Sequence, residues 1–344
     1  MNKAKHWFML CALLVFAGTA FSQNKGKLQI YFVDVEGGQA TLFVTPAGES
    51  LLIDTGWPGG NGRDADRIVA AATKAGLSKI DYVLITHFHV DHVGGVPQLA
   101  ARIPIGTFID HGPNRETSDT STEQGYEAYQ KLLATGKYQH IVAKPGDTLP
   151  IKGFSATVIS ADGNLIDHPL PGGGEENSYC KTSETRAADQ SENARSLGIL
   201  ITFGKLRILD LGDLTWDKEM QLMCPVNRLG HVNILVVSHH GLFQSSSPAL
   251  VDAIHPQVAV MDNGATKGGS KATLETFKSV PGLEALWQLH YSEEGGSSLN
   301  TQDALIANPQ GPDHGYDLEL TASQDGDFSV LNPRTGVSKF YSAK

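Results

Sequence analysis

A single α/β domain is the fold class this sequence predicts, and three observations predict it. Short β-rich runs separated by Gly and Pro turns open the chain. Helical and strand-like patterns then alternate. Acidic and imidazole groups recur just after apolar runs, where strands of an α/β sheet deliver their functional loops.

Taken in order, the first segment is a targeting signal rather than part of the fold. Lys3 and Lys5 precede an apolar stretch from Trp7 to Ala20, and Ala20-Phe21-Ser22 carries small residues where a signal peptidase reads. The stretch is short for a membrane span, so residues 1–22 read as a secretory signal peptide, and a retained membrane anchor is the alternative. The remaining 23–344 read as one domain, secreted or periplasmic, with no stable membrane insertion after cleavage.

Leu28 to Val35, Ala40 to Thr45 and Ser50 to Asp54 are strands, broken by Glu36-Gly37-Gly38 and Pro46-Ala47-Gly48. Arg63 to Ala75 is a helix, with Ile68, Val69 and Ala72 at helical spacing and Gly76 as its stop. Tyr82 to Ile85 is a buried strand, Val96 to Ala101 a short helix, Thr107 to Ile109 a strand and Thr122 to Ala134 an amphipathic helix. Residues 169–192 are rich in Pro, Gly, Ser and charge without periodicity, so they read as a long inserted loop of the kind that covers sites. Leu197 to Phe203 and Leu206 to Leu211 form a hairpin about Gly204-Lys205. Ile234 to Ser238, Val258 to Met261 and Ala285 to Leu289 are strands alternating with helices Pro248 to Ile254 and Leu274 to Lys278. The tail past Asp317 reads as one further pair of strands.

The chemistry is concentrated in Thr86-His87-Phe88-His89-Val90-Asp91-His92-Val93-Gly94-Gly95, directly after an apolar strand. Imidazole nitrogens and carboxylate oxygens suit zinc, iron or manganese. His87 and His89, two residues apart at a strand end, point to one side and can grip one ion. Asp91 and His92 follow the start of a turn and are free to face a second. His111, Asp213, His239 and His290 also lie just after apolar runs, so one sheet edge can gather them.

HxHxDHxGG resembles the signature of the metallo-β-lactamase superfamily. Three further segments fit in order: Phe32 to Ala40 with Leu51 to Gly56, Leu209-Asp210-Leu211-Gly212-Asp213, and Val236-Val237-Ser238-His239-His240-Gly241. The nearest pattern is the hydrolase domain of ComEC-like DNA-uptake channel proteins, and the resemblance covers about residues 27–300. It implies an αββα sandwich and a metal-dependent hydrolase with two metals, zinc foremost and iron or manganese as alternatives. It further implies that His87 and His89 bind the first metal and Asp91 and His92 the second. Asp213 would bridge the two, with His239 completing the second. Asp91 and His240 are then the catalytic candidates, His240 as a general acid or a support, although the two adjacent histidines could exchange roles. Asp54 is expected to orient the histidine loop.

The pattern departs from the superfamily at the third ligand of the first metal, usually another histidine. His111, His140 and His168 are the candidates, and a site completed by water or substrate is the alternative. His111 and His290 are carried as substrate-side candidates.

The formal charge of −10 becomes −12 once Lys3 and Lys5 leave. With no Lys/Arg cluster, long nucleic acid is a poor expectation for a substrate, and a small molecule or a cell-envelope component is a better one. Cys180 and Cys224 survive cleavage and could pair in an oxidising compartment. The leading reading is a hydrolase in which metal-bound hydroxide attacks a small ester, phosphodiester or lactone. An iron-dependent redox enzyme of the same fold and a non-catalytic binding protein are the alternatives.

Overall fold

The computed structural model describes residues 26–344, so the expected export signal lies outside the described residues. The chain opens with an antiparallel meander, β1 (Leu28–Phe32), β2 (Thr41–Val44) and β3 (Ser50–Ile53). It continues into β4 (Ile80–Leu84), β5 (Ile105–Asp110) and β6 (Gln139–Val142), laid parallel beside β3. Next come β7 (Ser155–Ala161), β8 (Asn164–Leu165), β9 (Glu175–Glu176), β10 (Gly198–Phe203), β11 (Leu206–Asp210) and β12 (Val226–Asn227). β13 (Ile234–Val236), β14 (Val258–Met261), β15 (Ala285–His290) and β16 (Ile306–Asn308) extend in parallel from β11. Finally β17 (Leu318–Ala322), β18 (Asp327–Asn332) and β19 (Val337–Ser342) return to the first sheet.

Two large sheets result, in the orders β19-β18-β17-β1-β2-β3-β4-β5-β6 and β16-β15-β14-β13-β11-β10-β7-β8. The tail thus adds three strands where the sequence reading expected two. Strand periodicity explains the layering: along β1, Leu28, Ile30 and Phe32 enter the core between the sheets while Tyr31 faces outward. Leu51 and Ile53 of β3 do the same around Leu52. Strands apolar on both faces need cover on both, and helices supply it. Ala65 and Ile68 of helix Arg63–Lys74 and Tyr129 of helix Thr120–Leu133 pack on the outer face of the first sheet. Leu222, Leu250 and Phe277, from helices Trp216–Met223, Pro248–Ile254 and Lys271–Ser279, cover the second. The layers are therefore α, β, β, α. No helix among the described residues is long and apolar enough to cross a membrane.

The segment 169–192 carries little regular structure, but it is anchored. β9 pairs with β12, and a disulfide joins Cys180 to Cys224 across 44 residues. Closing a loop of that length restricts the unfolded chain, so Cys180→Ser with Cys224→Ser should cost about 2–4 kcal/mol. A urea titration of the double variant that matches the unaltered protein would show that the bond contributes nothing.

Candidate metal centre

The site lies at the strand ends where the two sheets meet. β4 delivers His87, His89, Asp91 and His92 from the first sheet; β11 delivers Asp213 and β13 delivers His239 and His240 from the second. Close approach sets the local sequence. At Gly212 φ is +55°, and a Cβ there would fall 2.8 Å from that of Thr86, so only glycine lets the two loops touch.

Asp213 is the hub. Its Oδ2 lies 3.9 Å from His87 Nε2, 3.3 Å from His92 Nε2, 3.5 Å from His239 Nε2 and 3.4 Å from His240 Nε2. Asp91 Oδ2 adds contacts of 3.4 Å to His92 and 3.2 Å to His240. One donor atom each from Asp91, His92, Asp213 and His240 lies within a 4.8 Å span. Adjacent side chains on an extended strand point to opposite faces, but His239 and His240 do not follow that geometry. Both residues have left-handed φ, 56° and 53°, and that turn brings both rings to Asp213. Such φ values on residues other than glycine cost roughly 1–3 kcal/mol each and persist where the surroundings over-determine them.

Carboxylates behind the ring nitrogens set their roles. Asp54 Oδ2 sits 2.7 Å from His92 Nδ1 and leaves Nε2 for the centre. Glu116 Oε2 takes His89 Nε2 at 2.9 Å, so the lone pair of a neutral His89 resides on Nδ1. This carboxylate–histidine pairing is how metal-ligating imidazoles are oriented.

Burial acts first on every ionisable group here. It holds His87 well below the usual imidazole range, with His92 and His89 adding to the effect, and brings His239 to about 4. Those two rings are neutral donors. Burial also opposes charge on His92 and His240, but Asp213 outweighs it, helped by Asp91 at His92 and by Asp262 at His240. His92 is raised well above its ordinary value and His240 to about 10. Asp91 and Asp213 are held well below the carboxylate range, against burial, by His92 with Lys267 and by His92 with His240 respectively. Two carboxylates facing two imidazolium rings make a set in which a divalent cation can replace the two protons. His87 Nε2 and Asp213 Oδ1 are buried with no hydrogen-bond partner, an arrangement that costs free energy unless something binds them. The donors fit a metal.

The remaining candidates sit elsewhere. His111, carried from the sequence as a third-ligand and substrate-side candidate, is buried, with Nε2 3.0 Å from Glu192 Oε2 and its ring against Phe88. His290 is buried in a separate cluster, 2.7 Å from Asp34 Oδ1, with Glu36 and Arg67 nearby. His140 pairs with Asp110, and exposed His168 pairs with Asp167. Sequence reasoning missed Glu116 and Lys267. Lys267 donates to Asp91 Oδ2 and to Gly37 O and lies over the Trp57 ring. It falls in a Gly-rich loop after a strand, a signal that could have singled it out.

Residues 33–175 match the model of the metallo-β-lactamase superfamily. Recombination protein 2 of Haemophilus influenzae is 27% identical over 255 residues, covering 73% of this chain and 26% of that protein. Hydroxyacylglutathione hydrolase of Stenotrophomonas maltophilia is 35% identical over 107 residues, 31% of this chain and 37% of that one. The chain thus spans well under half the length of either curated relative. The solved metallo-β-lactamase fold protein YhfI of Bacillus subtilis is 14% identical with a TM-score of 0.47, over 77% of this chain and 96% of its own. Residues 33–175 thus carry the metallo-β-lactamase superfamily pattern, and the four-layer fold, with His87 and His92 of the HxHxDH motif gathered around Asp213, is that of its metal-dependent hydrolases.

Proposed function

We propose that the chain is an exported hydrolase with two metals, acting on a small phosphodiester or a related small ester. The observation that carries this reading is a single carboxylate oxygen, Asp213 Oδ2, approached by four imidazoles from both sheets. A carboxylate so placed can span two cations about 3.5–4 Å apart and offset their repulsion. Zinc is the favoured metal, because nitrogen donors outnumber oxygen donors. When bound, the metals supply an activated water and polarise the bond to be cleaved.

The chain's own residues do the rest. Asp54 and Glu116 hold the rings of His92 and His89 in place. Lys267, within reach of Asp91, offers a positive charge to an anionic substrate group at the rim. His240, between Asp91 and Asp213, is either the second-metal ligand or the proton donor to the leaving group, with His239 in the other position.

Export is supported by the N-terminal pattern and by the Cys180–Cys224 disulfide. The size of substrate follows from charge. The name Recombination protein 2 suggests nucleic acid for that relative, but a long polyanion needs several Lys/Arg contacts and a chain of −10, or −12 without Lys3 and Lys5, repels it. Purified protein should carry two zinc per chain by elemental analysis and hydrolyse chromogenic bis-aryl phosphates with weak salt dependence. Iron in its place would move the reading toward redox chemistry. Efficient cleavage of double-stranded DNA, falling steeply with salt, would overturn the small-substrate reading.

A further inference from the structure

We propose that Asp262 is the positioning residue of His240: its carboxylate takes the Nδ1–H of that ring and so turns Nε2 toward the metal centre. This rests on the two-metal reading above.

Two of the buried polar atoms without a hydrogen-bond partner lie across from each other. They are His240 Nδ1 and Asp262 Oδ1, 3.6 Å apart. Both side chains are buried, and among the described residues His240 is the one basic group in ion-pair reach of Asp262. The separation is somewhat longer than a formed hydrogen bond. A small turn of either side chain closes it and satisfies both atoms at once, the outcome that burial of polar groups favours.

The backbone arranges the encounter. β13 and β14 run parallel with Val236 beside Val260, and the Val237 N–H donates to Val260 O at 2.9 Å. The residues that follow therefore leave the sheet side by side, His239 and His240 after β13 and Asp262 after β14. The loop after β14 then closes on His240 from its far end. The Gly269 N–H donates to His240 O and the Ser270 N–H to Gly241 O, each at 2.9 Å. At Gly268 φ is +83°, and a Cβ there would fall 2.2 Å from His240 O. One loop thus grips the His240 backbone at one end and meets its ring at the other.

Neighbouring rings show what the pairing does. His92 has Asp54 behind Nδ1 at 2.7 Å and presents Nε2 to the centre. His240 repeats that arrangement, with Nε2 3.2 Å from His92 Nε2, 3.2 Å from Asp91 Oδ2 and 3.4 Å from Asp213 Oδ2. His239 differs, because its Nδ1 meets the neutral Ser245 hydroxyl at 3.3 Å. A carboxylate behind an imidazole fixes its tautomer and makes the facing nitrogen the stronger donor. The pairing therefore gives His240, rather than His239, to the second metal.

The test is nitrogen NMR of zinc-loaded protein with isotope-labelled histidine, the His240 ring being identified by its loss in His240→Gln. His240 should carry its proton on Nδ1, at the low-field position of an N–H donated to a carboxylate. Asp262→Ala should shift that proton upfield or lose it to solvent exchange. By calorimetry the same variant should weaken one zinc site by roughly 10- to 100-fold and leave the other unchanged. Asp262→Asn keeps an acceptor without the charge, so it should recover part of the affinity, and it covers an alanine variant that fails to fold. A purely structural Asp262 would lower thermal stability while leaving the His240 resonance and both zinc affinities where they are. That result, or a His240 with its proton on Nε2, overturns the inference and leaves the two-metal reading standing. A parent protein that takes up at most one ion per chain overturns that reading instead, and the His240 resonance still decides whether Asp262 holds the ring.

Discussion

Asp213→Asn is expected to lose most of one metal and to depress turnover at least about a hundredfold. Removing groups that merely support ligands costs 10- to 100-fold in metal affinity or activity as a rule of thumb, and Asp213 stands closer to the centre than that. The reason is charge. Its carboxylate oxygen is reached by His87, His92, His239 and His240, and a neutral amide cannot balance two cations. Its Nδ2–H2 face would also point donors at a centre that needs acceptors. Elemental analysis and steady-state kinetics check both effects. If Asp213 were only a turn residue after Gly212, asparagine would be nearly silent.

His89→Ala should abolish hydrolysis and strip the first metal while leaving the fold intact. The His89 side chain is 23% exposed and pairs with Glu116, itself partly exposed, so truncation opens no core cavity. The stability loss should be within about 1 kcal/mol, as for ordinary half-exposed positions. This contrasts with His92, fully buried against Asp54, where truncation would strand a buried carboxylate and confuse a metal effect with an unfolding one. Wild-type turnover with full metal content in His89→Ala would remove His89 from the ligand set.

Most of the secondary structure was legible in the sequence because apolar periodicity was strong there. Val258–Met261 and Pro248–Ile254 match their expected limits, and the hairpin about Gly204-Lys205 is present. The strands that escaped notice lacked that signal. Gln139–Val142 is an edge strand, largely exposed and partly polar, so no face of it is uniformly apolar. Ser155–Ala161 mixes Ser and Thr into its run and sits between turns. The helix Trp216–Met223 interleaves Asp217, Lys218 and Glu219 with its apolar residues, and the buried Glu219 carboxyl accepts the Ser246 and Ser247 N–H groups.

At the site, the residues of the contiguous motif and Asp54, which holds His92, were legible in the sequence, whereas the partner of His89 was not. Glu116 lies 27 residues beyond His89 and meets it only through tertiary closure. Likewise the unusual turn of His239 and His240 depends on positive φ values that apolar patterning does not report.

The pairing of β1 with β17 sets the order in which this molecule can be finished. Leu28 finds its neighbour at Ala322, so a strand made near the start waits for one made near the end. Until the tail arrives, β1 presents a row of unpaired N–H and C=O groups between two apolar faces, an open template for a foreign strand. A chain cut short after β16 keeps every proposed metal ligand and still lacks that cover. Such a fragment would be chemically complete yet prone to self-association, and trimming the C-terminus is the wrong way to look for a minimal active unit.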